Sequence, residues 1–185
     1  AYAPADRDPD MAQWGRQLTA SWSAFQSRIR DPQKRGRLSL HLQPGRYLVA
    51  DSGYLLMTVQ SIKSTPSMWF AGTDSGLNHN IRHPLYRSYH PIFNATGMTR
   101  GTRFTAVCGN ICESGDLFSH GRDIPQPRVG DILALGMAGA YGMSMASHYN
   151  SQPLPAEVMV QNGVPILIRR RECYDDLTAT QENLS

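Results

Sequence analysis

Leu38-Ser39-Leu40-His41-Leu42-Gln43-Pro44-Gly45-Arg46-Tyr47-Leu48-Val49-Ala50-Asp51-Ser52-Gly53-Tyr54-Leu55-Leu56-Met57-Thr58-Val59-Gln60-Ser61-Ile62 is where the chain changes its period. Leu38, Leu40 and Leu42 alternate with Ser39 and His41, the two-residue repeat of a half-buried strand. Pro44-Gly45 ends that strand, and Tyr47–Ala50 and Tyr54–Ile62 are apolar enough for two more, with Gly53 between them. Downstream, Met68–Thr73, Phe104–Cys108, Asp131–Leu135, Glu157–Val160 and Pro165–Arg169 read as further strands, most of them bounded by Gly, Pro, Asn or Asp. Many short strands with turn signals between them predict a mainly β fold, an antiparallel Greek-key-type barrel or sandwich.

Upstream the period is helical. Met11, Trp14, Leu18, Trp22, Phe25 and Ile29 recur at steps of three and four and share one face. Asp8 followed by Pro9 predicts the start, and Asp31-Pro32 the stop. A stripe with two tryptophans must pack on something large. A helix and one strand ahead of an all-β domain look like the last unit of an α/β arrangement, so residues 1–42 are expected to be distinct from a β domain over residues 43–185. The tail beyond Leu177 is polar and expected to fray.

Composition narrows the class. A hydrophobic fraction of 41% with 18% charged residues fits a folded globular chain rather than a disordered one. No apolar run is long enough to cross a bilayer and no basic-then-apolar leader is visible, so no membrane association is expected. The net charge of +3 is mild, and its densest run, Arg169-Arg170-Arg171, reads as a solvated strand end. No basic stripe is interleaved with aromatics, so nucleic acid is not an expected partner. Three cysteines, Cys108, Cys112 and Cys173, argue against a disulfide framework and for a reducing, cytoplasmic setting.

Four segments could carry chemistry. In Gln43-Pro44-Gly45-Arg46 the glycine lets a ligand approach the backbone, and the arginine offers a planar fork to an anion, although a plain turn has the same composition. Arg82 and Tyr86 lie four apart after Asp74-Ser75-Gly76, where an arginine can hold a carboxylate and a phenol can orient a polar group. His79 and His83 share that spacing, but no carboxylate or thiol completes a ligand set, so no metal is expected. Cys112-Glu113-Ser114-Gly115-Asp116 places a thiol beside two carboxylates, which would raise the thiol pKa and suit a proton donor better than a nucleophile. Gly139-Ala140-Tyr141-Gly142 suggests an exposed ring on a tight backbone, able to stack on a flat ligand.

The segments are more specific together than singly. Pro44 to Gly53, Asp74-Ser75-Gly76 with Arg82 and Tyr86, Cys112 to Asp116, Val129-Gly130-Asp131, Gly139 to Gly142, Tyr149-Asn150-Ser151, Pro155 to Val158 and Arg169 to Glu172 stand in one order. In that order they resemble the fold-type III, pyridoxal-phosphate-dependent amino-acid decarboxylases, and among them the diaminopimelate decarboxylases. The likeness runs from about residue 38 to residue 177.

The resemblance implies a two-domain enzyme in which an α/β barrel with the cofactor lysine precedes a β-barrel. Residues 1–42 would then be the last helix and strand of the first barrel. The only lysines here are Lys34 and Lys63, outside any matching motif, so this chain alone is not expected to hold the cofactor covalently. By the same resemblance Gln43, Pro44, Gly45 and Arg46 lie at the cofactor phosphate, with Gln43 where the family usually has glutamate. Arg46, Arg82, Tyr86 and Glu113 would bind substrate, Tyr141 would contact both cofactor and substrate, and Cys112 would donate the proton. Cys112 and Glu113 would serve the neighbouring subunit's site, which implies a homodimer. The implied reaction is meso-2,6-diaminopimelate to L-lysine and carbon dioxide. A sister decarboxylase of ornithine, arginine, a carboxylated polyamine or a siderophore precursor remains open, as does a non-catalytic β-barrel module.

Overall fold

The computed structural model describes residues 3, 4 and 6–182. The chain divides into two compact units, one ending at Gly45 and the other beginning at Arg46.

In the first unit, helix α1 spans Met11–Ser27. Its cap is Asp10, not Asp8: the Asp10 carboxylate accepts from the Gln13 N–H at 2.8 Å. Pro9 therefore precedes the cap instead of opening the helix. None of the α1 side chains is buried, and Trp14 and Phe25 of the apolar stripe are exposed, though Trp22 and Phe25 stack on each other with centroids 5.7 Å apart. Asp31-Pro32 does not only stop a helix. Asp31 accepts from Gln33 N–H and Lys34 N–H and starts a second helix, α2, over Pro32–Gly36, with proline at its first position. Residues 38–44, expected to begin with a strand, form no ladder. Alternation alone cannot make a strand, because its backbone groups need a partner to bond to.

Two 3-10 turns, Gly45–Leu48 from the last residue of the first unit and Ala50–Ser52 in the second, stand where a strand over Tyr47–Ala50 was predicted. Short local bonds win there: Val49 N–H donates to Arg46 O, and both Ser52 N–H and Ser52 Oγ donate to Val49 O. Then follow β1 (Leu55–Ser64), β2 (Trp69–Thr73), helix α3 (Arg82–Tyr86), β3 (Ile92–Asn94), β4 (Thr102–Cys108), β5 (Leu117–Pro125), β6 (Ile132–Leu135), β7 (Glu157–Gln161), β8 (Val164–Arg169) and helix α4 (Tyr174–Thr178). The residues beyond 182 of the polar tail lie outside the described residues.

Six strands form one sheet in the order β3-β6-β1-β2-β4-β5. Every pairing is antiparallel except β2 with β4, which is parallel, so the expected antiparallel sheet is a mixed one. The two edges return toward each other: Asn94 Nδ2 on β3 donates to Pro125 O on β5 at 3.3 Å. The result is a nearly closed, barrel-like sheet. Its interior is Met57, Val59, Ala71, Ile92, Val107, Phe118, Ile124, Leu133 and Leu135. A polar knot seals the end near the edges. Asp131 accepts from Asn94 Nδ2 and Arg128 N–H at 2.9 Å each and forms an ion pair with Arg100. Burial alone would push its carboxyl up, but the Arg100 guanidinium and those N–H donors hold it at about 2.

β7 and β8 make a separate two-stranded hairpin, turned by Asn162 and Gly163, both at positive φ (53° and 79°) as a two-residue hairpin loop demands. Val158, Met159, Val160, Val164, Ile166, Leu167 and Ile168 all remain exposed on it. Its charged end resolves the arginine run as surface pairing: Arg169 bonds Glu157, and Arg170 bonds both oxygens of Asp176.

Candidate active site

Two loops and one turn of the second unit carry its predicted site residues. The first loop, residues 74–81, leads from β2 into α3. It is anchored at its start: Asp74 Oδ1 accepts from Thr58 N–H at 2.7 Å, and Ser75 Oγ meets His79 Nδ1 at 2.9 Å. Asn80 Oδ1 accepts the Arg82 N–H at 3.1 Å, which fixes the entry into α3. The helix ends after one turn, with Arg87 in the left-handed region (φ 53°).

Arg82 is the centre of the first cluster. Its guanidinium lies over the Tyr86 ring at 4.9 Å and over the Tyr141 ring at 5.1 Å. Its Nη2 donates to Ser88 Oγ at 3.3 Å. The two rings hold the cation without neutralising it. Beneath it, His83 Nδ1 meets Ser88 O at 3.1 Å, and His90 Nδ1 meets Gly136 O at 2.9 Å. Burial lowers the pKa of both histidines, and nearby cations lower them further: His120 and Arg122 for His83, Arg82 and Arg46 for His90. His79 and His83 therefore have separate backbone partners, and no group of three or more metal-ligating side chains occurs among the described residues.

Tyr141 reaches Arg82 because of a backbone crossing. Ala138 N–H donates to Gly53 O at 2.9 Å, and Gly139 N–H donates to Ala50 O at 3.0 Å. A Cβ on Gly53 would lie 2.4 Å from Gly139 Cα, and one on Gly139 would lie 2.0 Å from Val49 O. Only glycine fits on either side. Immediately beyond the crossing, Tyr141 sits at φ 59°, which turns its exposed ring outward.

Cys112 and Glu113 occupy the second loop, between β4 and β5, and both are exposed. The loop is tight: Glu113 N–H donates to Ile111 O at 2.8 Å, and Asp116 N–H donates to Glu113 O at 3.0 Å. Asp116 itself is 5% exposed and points inward. The thiol whose pKa Asp116 raises, after burial, is Cys108 at the end of β4. The motif's two acids thus differ in role, one at the surface and one underneath. Sequence reasoning had grouped them.

Gln43, Pro44 and Gly45 close the first unit, and Arg46 opens the second. Gly45 is at φ 63°, and nothing lies within 4 Å of where its Cβ would be. That open glycine face suits close approach by an anionic group such as a phosphate. Several site residues were missed by sequence reasoning. Ser88 receives Arg82, and Arg122 packs over the Tyr89 ring at 4.5 Å while donating to His90 O. Only the Tyr89-His90 pair so close behind Tyr86 could have flagged that neighbourhood.

The family model for the C-terminal sheet domain of pyridoxal-dependent decarboxylases matches residues 29–139. The chain is 40% identical over 97% of its length to a diaminopimelate decarboxylase of Methanothermobacter thermautotrophicus, and covers 41% of that protein. It is 41% identical over 78% of its length to the diaminopimelate decarboxylase of Escherichia coli K12, covering 37% of it. A solved diaminopimelate decarboxylase of M. jannaschii in complex with L-lysine superposes with a TM-score of 0.86 at 33% identity, over 99% of this chain and 41% of that one. The chain thus spans about two fifths of the length of these relatives. These matches take in the mixed sheet and the loops between its strands: the chain belongs to the pyridoxal-dependent decarboxylase family and carries its C-terminal sheet domain.

Proposed function

We propose that this chain is the C-terminal part of a pyridoxal-phosphate-dependent decarboxylase that converts meso-2,6-diaminopimelate to L-lysine and carbon dioxide. The observation that carries the proposal is Arg82, a cation on helix α3 gripped by the Tyr86 and Tyr141 rings, in a chain that also exposes a Cys112-Glu113 tip between β4 and β5. A substrate with charged groups at both ends needs both: a cation for its carboxylate and an anion for its distal amino group. The L-lysine bound in the M. jannaschii relative is the product of this reaction.

The residues take these roles. Arg82 and Tyr86, with Arg46, hold the substrate's polar groups. Glu113 accepts its distal ammonium. Gln43, Pro44, Gly45 and Arg46 meet the cofactor phosphate, and Tyr141 borders the cofactor as well as the substrate. Pyridoxal phosphate, when bound, supplies the electron sink that makes loss of the carboxylate as carbon dioxide feasible. The bond between the α-carbon and the carboxylate breaks, and Cys112 gives its thiol proton to that carbon; the thiolate regains a proton from solvent. Cys112 and Glu113 act in the site of a second subunit, so the working enzyme is a cytoplasmic homodimer whose cofactor lysine lies in a preceding domain.

The test is Cys112→Ala in the complete enzyme. Loss of a positioned general acid lowers kcat by about 10²-fold or more. Undiminished lysine production would overturn the assignment. Profiling the same enzyme on ornithine and arginine decides whether Gln43 marks a sister activity: the proposal requires that diaminopimelate be preferred.

A further inference from the structure

We propose that Asp116 is a positioning residue whose single buried carboxylate staples the Cys112-Glu113 loop to the loop that leads into Arg82. The inference rests on the function proposed above for its effect on turnover, but the staple itself is a matter of geometry. Asp116 Oδ1 accepts the Leu77 N–H at 2.6 Å, and its Oδ2 accepts the Ile111 N–H at 2.7 Å. Leu77 lies five residues ahead of Arg82, and Ile111 immediately ahead of Cys112. One carboxylate therefore satisfies a backbone donor from each loop, with one oxygen for each.

The surroundings are shaped for that carboxylate. Gly109 makes room: a Cβ there would lie 2.2 Å from Oδ2 and 2.3 Å from Oδ1. On the other loop Gly76 makes room for Ile111 rather than for the carboxylate: a Cβ there would lie 2.6 Å from Ile111 Cγ1. The backbones are laced alongside, with Gly109 N–H donating to Asp116 O and Asn110 N–H to Ser75 O, at 3.0 Å each. Thr73 Oγ1 donates to Cys108 O at 3.0 Å, where β2 and β4 end. The exposed tip has little else. Glu113 Oε1 accepts only a Gly115 N–H from its own loop, at 3.2 Å. The position of Cys112 and Glu113 is thus set from below, by a group that touches neither substrate nor cofactor.

Asn is the discriminating replacement. Its shape matches, and its oxygen can still accept one N–H, but its amide nitrogen must face the other N–H donor. In the complete enzyme, Asp116→Asn is expected to speed amide hydrogen exchange about tenfold or more in residues 75–80 and 109–115 together. Alkylation of Cys112 by iodoacetamide should quicken relative to Cys173. Turnover per cofactor-loaded site should fall on the order of tenfold to a hundredfold, and KM should rise with it, because the Glu113 tip and the loop that leads into Arg82 are loosened together. Gly109→Ala keeps the carboxylate but displaces it, and should reproduce the pattern even if Asp116→Asn gives no folded protein. Faster exchange in only one loop, or an unchanged kcat in an enzyme that Cys112→Ala inactivates, overturns the positioning role. If Cys112→Ala itself leaves decarboxylation intact, the acid assignment fails, and exchange in the two loops alone then decides for or against the staple.

Discussion

Arg82 and Cys112 are held in opposite ways. The arginine is gripped at its functional end by two rings, so its own head group is what the fold positions. Among the described residues none bonds the cysteine at its thiol; the loop beneath it is fixed through Asp116 and the side chain is exposed. The difference fits the roles proposed for the two residues. A substrate-binding cation must be preorganised yet stay charged, and aromatic faces allow both. A proton donor must approach a carbon atom closely, and a tip with few bonds of its own presents less to desolvate.

The sharpest way to break this contrast is Arg82→Ala. It removes the proposed charge partner of the substrate and both ring contacts, and kcat/KM should fall by about 2–5 kcal/mol worth of binding. Steady-state kinetics on diaminopimelate check it, and the exchange of residues 109–115 should not change. Gly139→Ala comes next. Its Cβ meets Val49 O at 2.0 Å, so the crossing must shift and Tyr141 with it. Overpacking of this kind costs about 1–3 kcal/mol of stability, read as a lower melting temperature, with KM rising while Cys112 alkylation stays the same. The smallest effect is that of pH, to which the two arms contribute with opposite sign. His83 and His90, lowered by burial, favour the folded state when neutral. The stability they give is complete above the unfolded value near 6.5 and is lost as pH falls through their folded values. Asp116 is raised: burial outweighs the Ile111 and Leu77 N–H groups and His79, which lower it. Its ionised form costs the fold something, and the cost is relieved as pH falls from that raised value toward the unfolded 3.8. Hydrogen exchange, corrected for its intrinsic pH dependence, should quicken in residues 82–90 on acidification.

Much of the sheet was legible in the sequence because its strands are apolar and punctuated. β1, β2, β4, β6, β7 and β8 fall within a few residues of where alternation and turn residues put them. β5 was not legible. Its middle, Ser119-His120-Gly121-Arg122-Asp123, has no apolar period, and it is a strand because β4 offers a partner along its length. β3 is too short to carry a period. The opposite error came at Leu38–Leu42, which alternates, and Tyr47–Ala50, which is an apolar run, where the pattern was present and a ladder partner was not. Of the proposed site, Arg82 with Tyr86, Cys112 with Glu113, and Tyr141 each lie in a short local motif, which a sequence can display. The stacking of Tyr141 on Arg82 and the bond from Leu77 to Asp116 join residues far apart in sequence, and no local pattern encodes them.

The hairpin of β7 and β8 has a practical side. Seven apolar side chains on two strands are the composition from which intermolecular sheets nucleate. The charges at its open end, Glu157 and Arg169 to Arg171, are the residues that discourage such pairing. Colloidal behaviour of this polypeptide should therefore hinge on a few arginines rather than on its net charge. Neutralising them is the quickest route to precipitation, and adding charge at Val160 or Val164 beside the turn is the quickest route away from it.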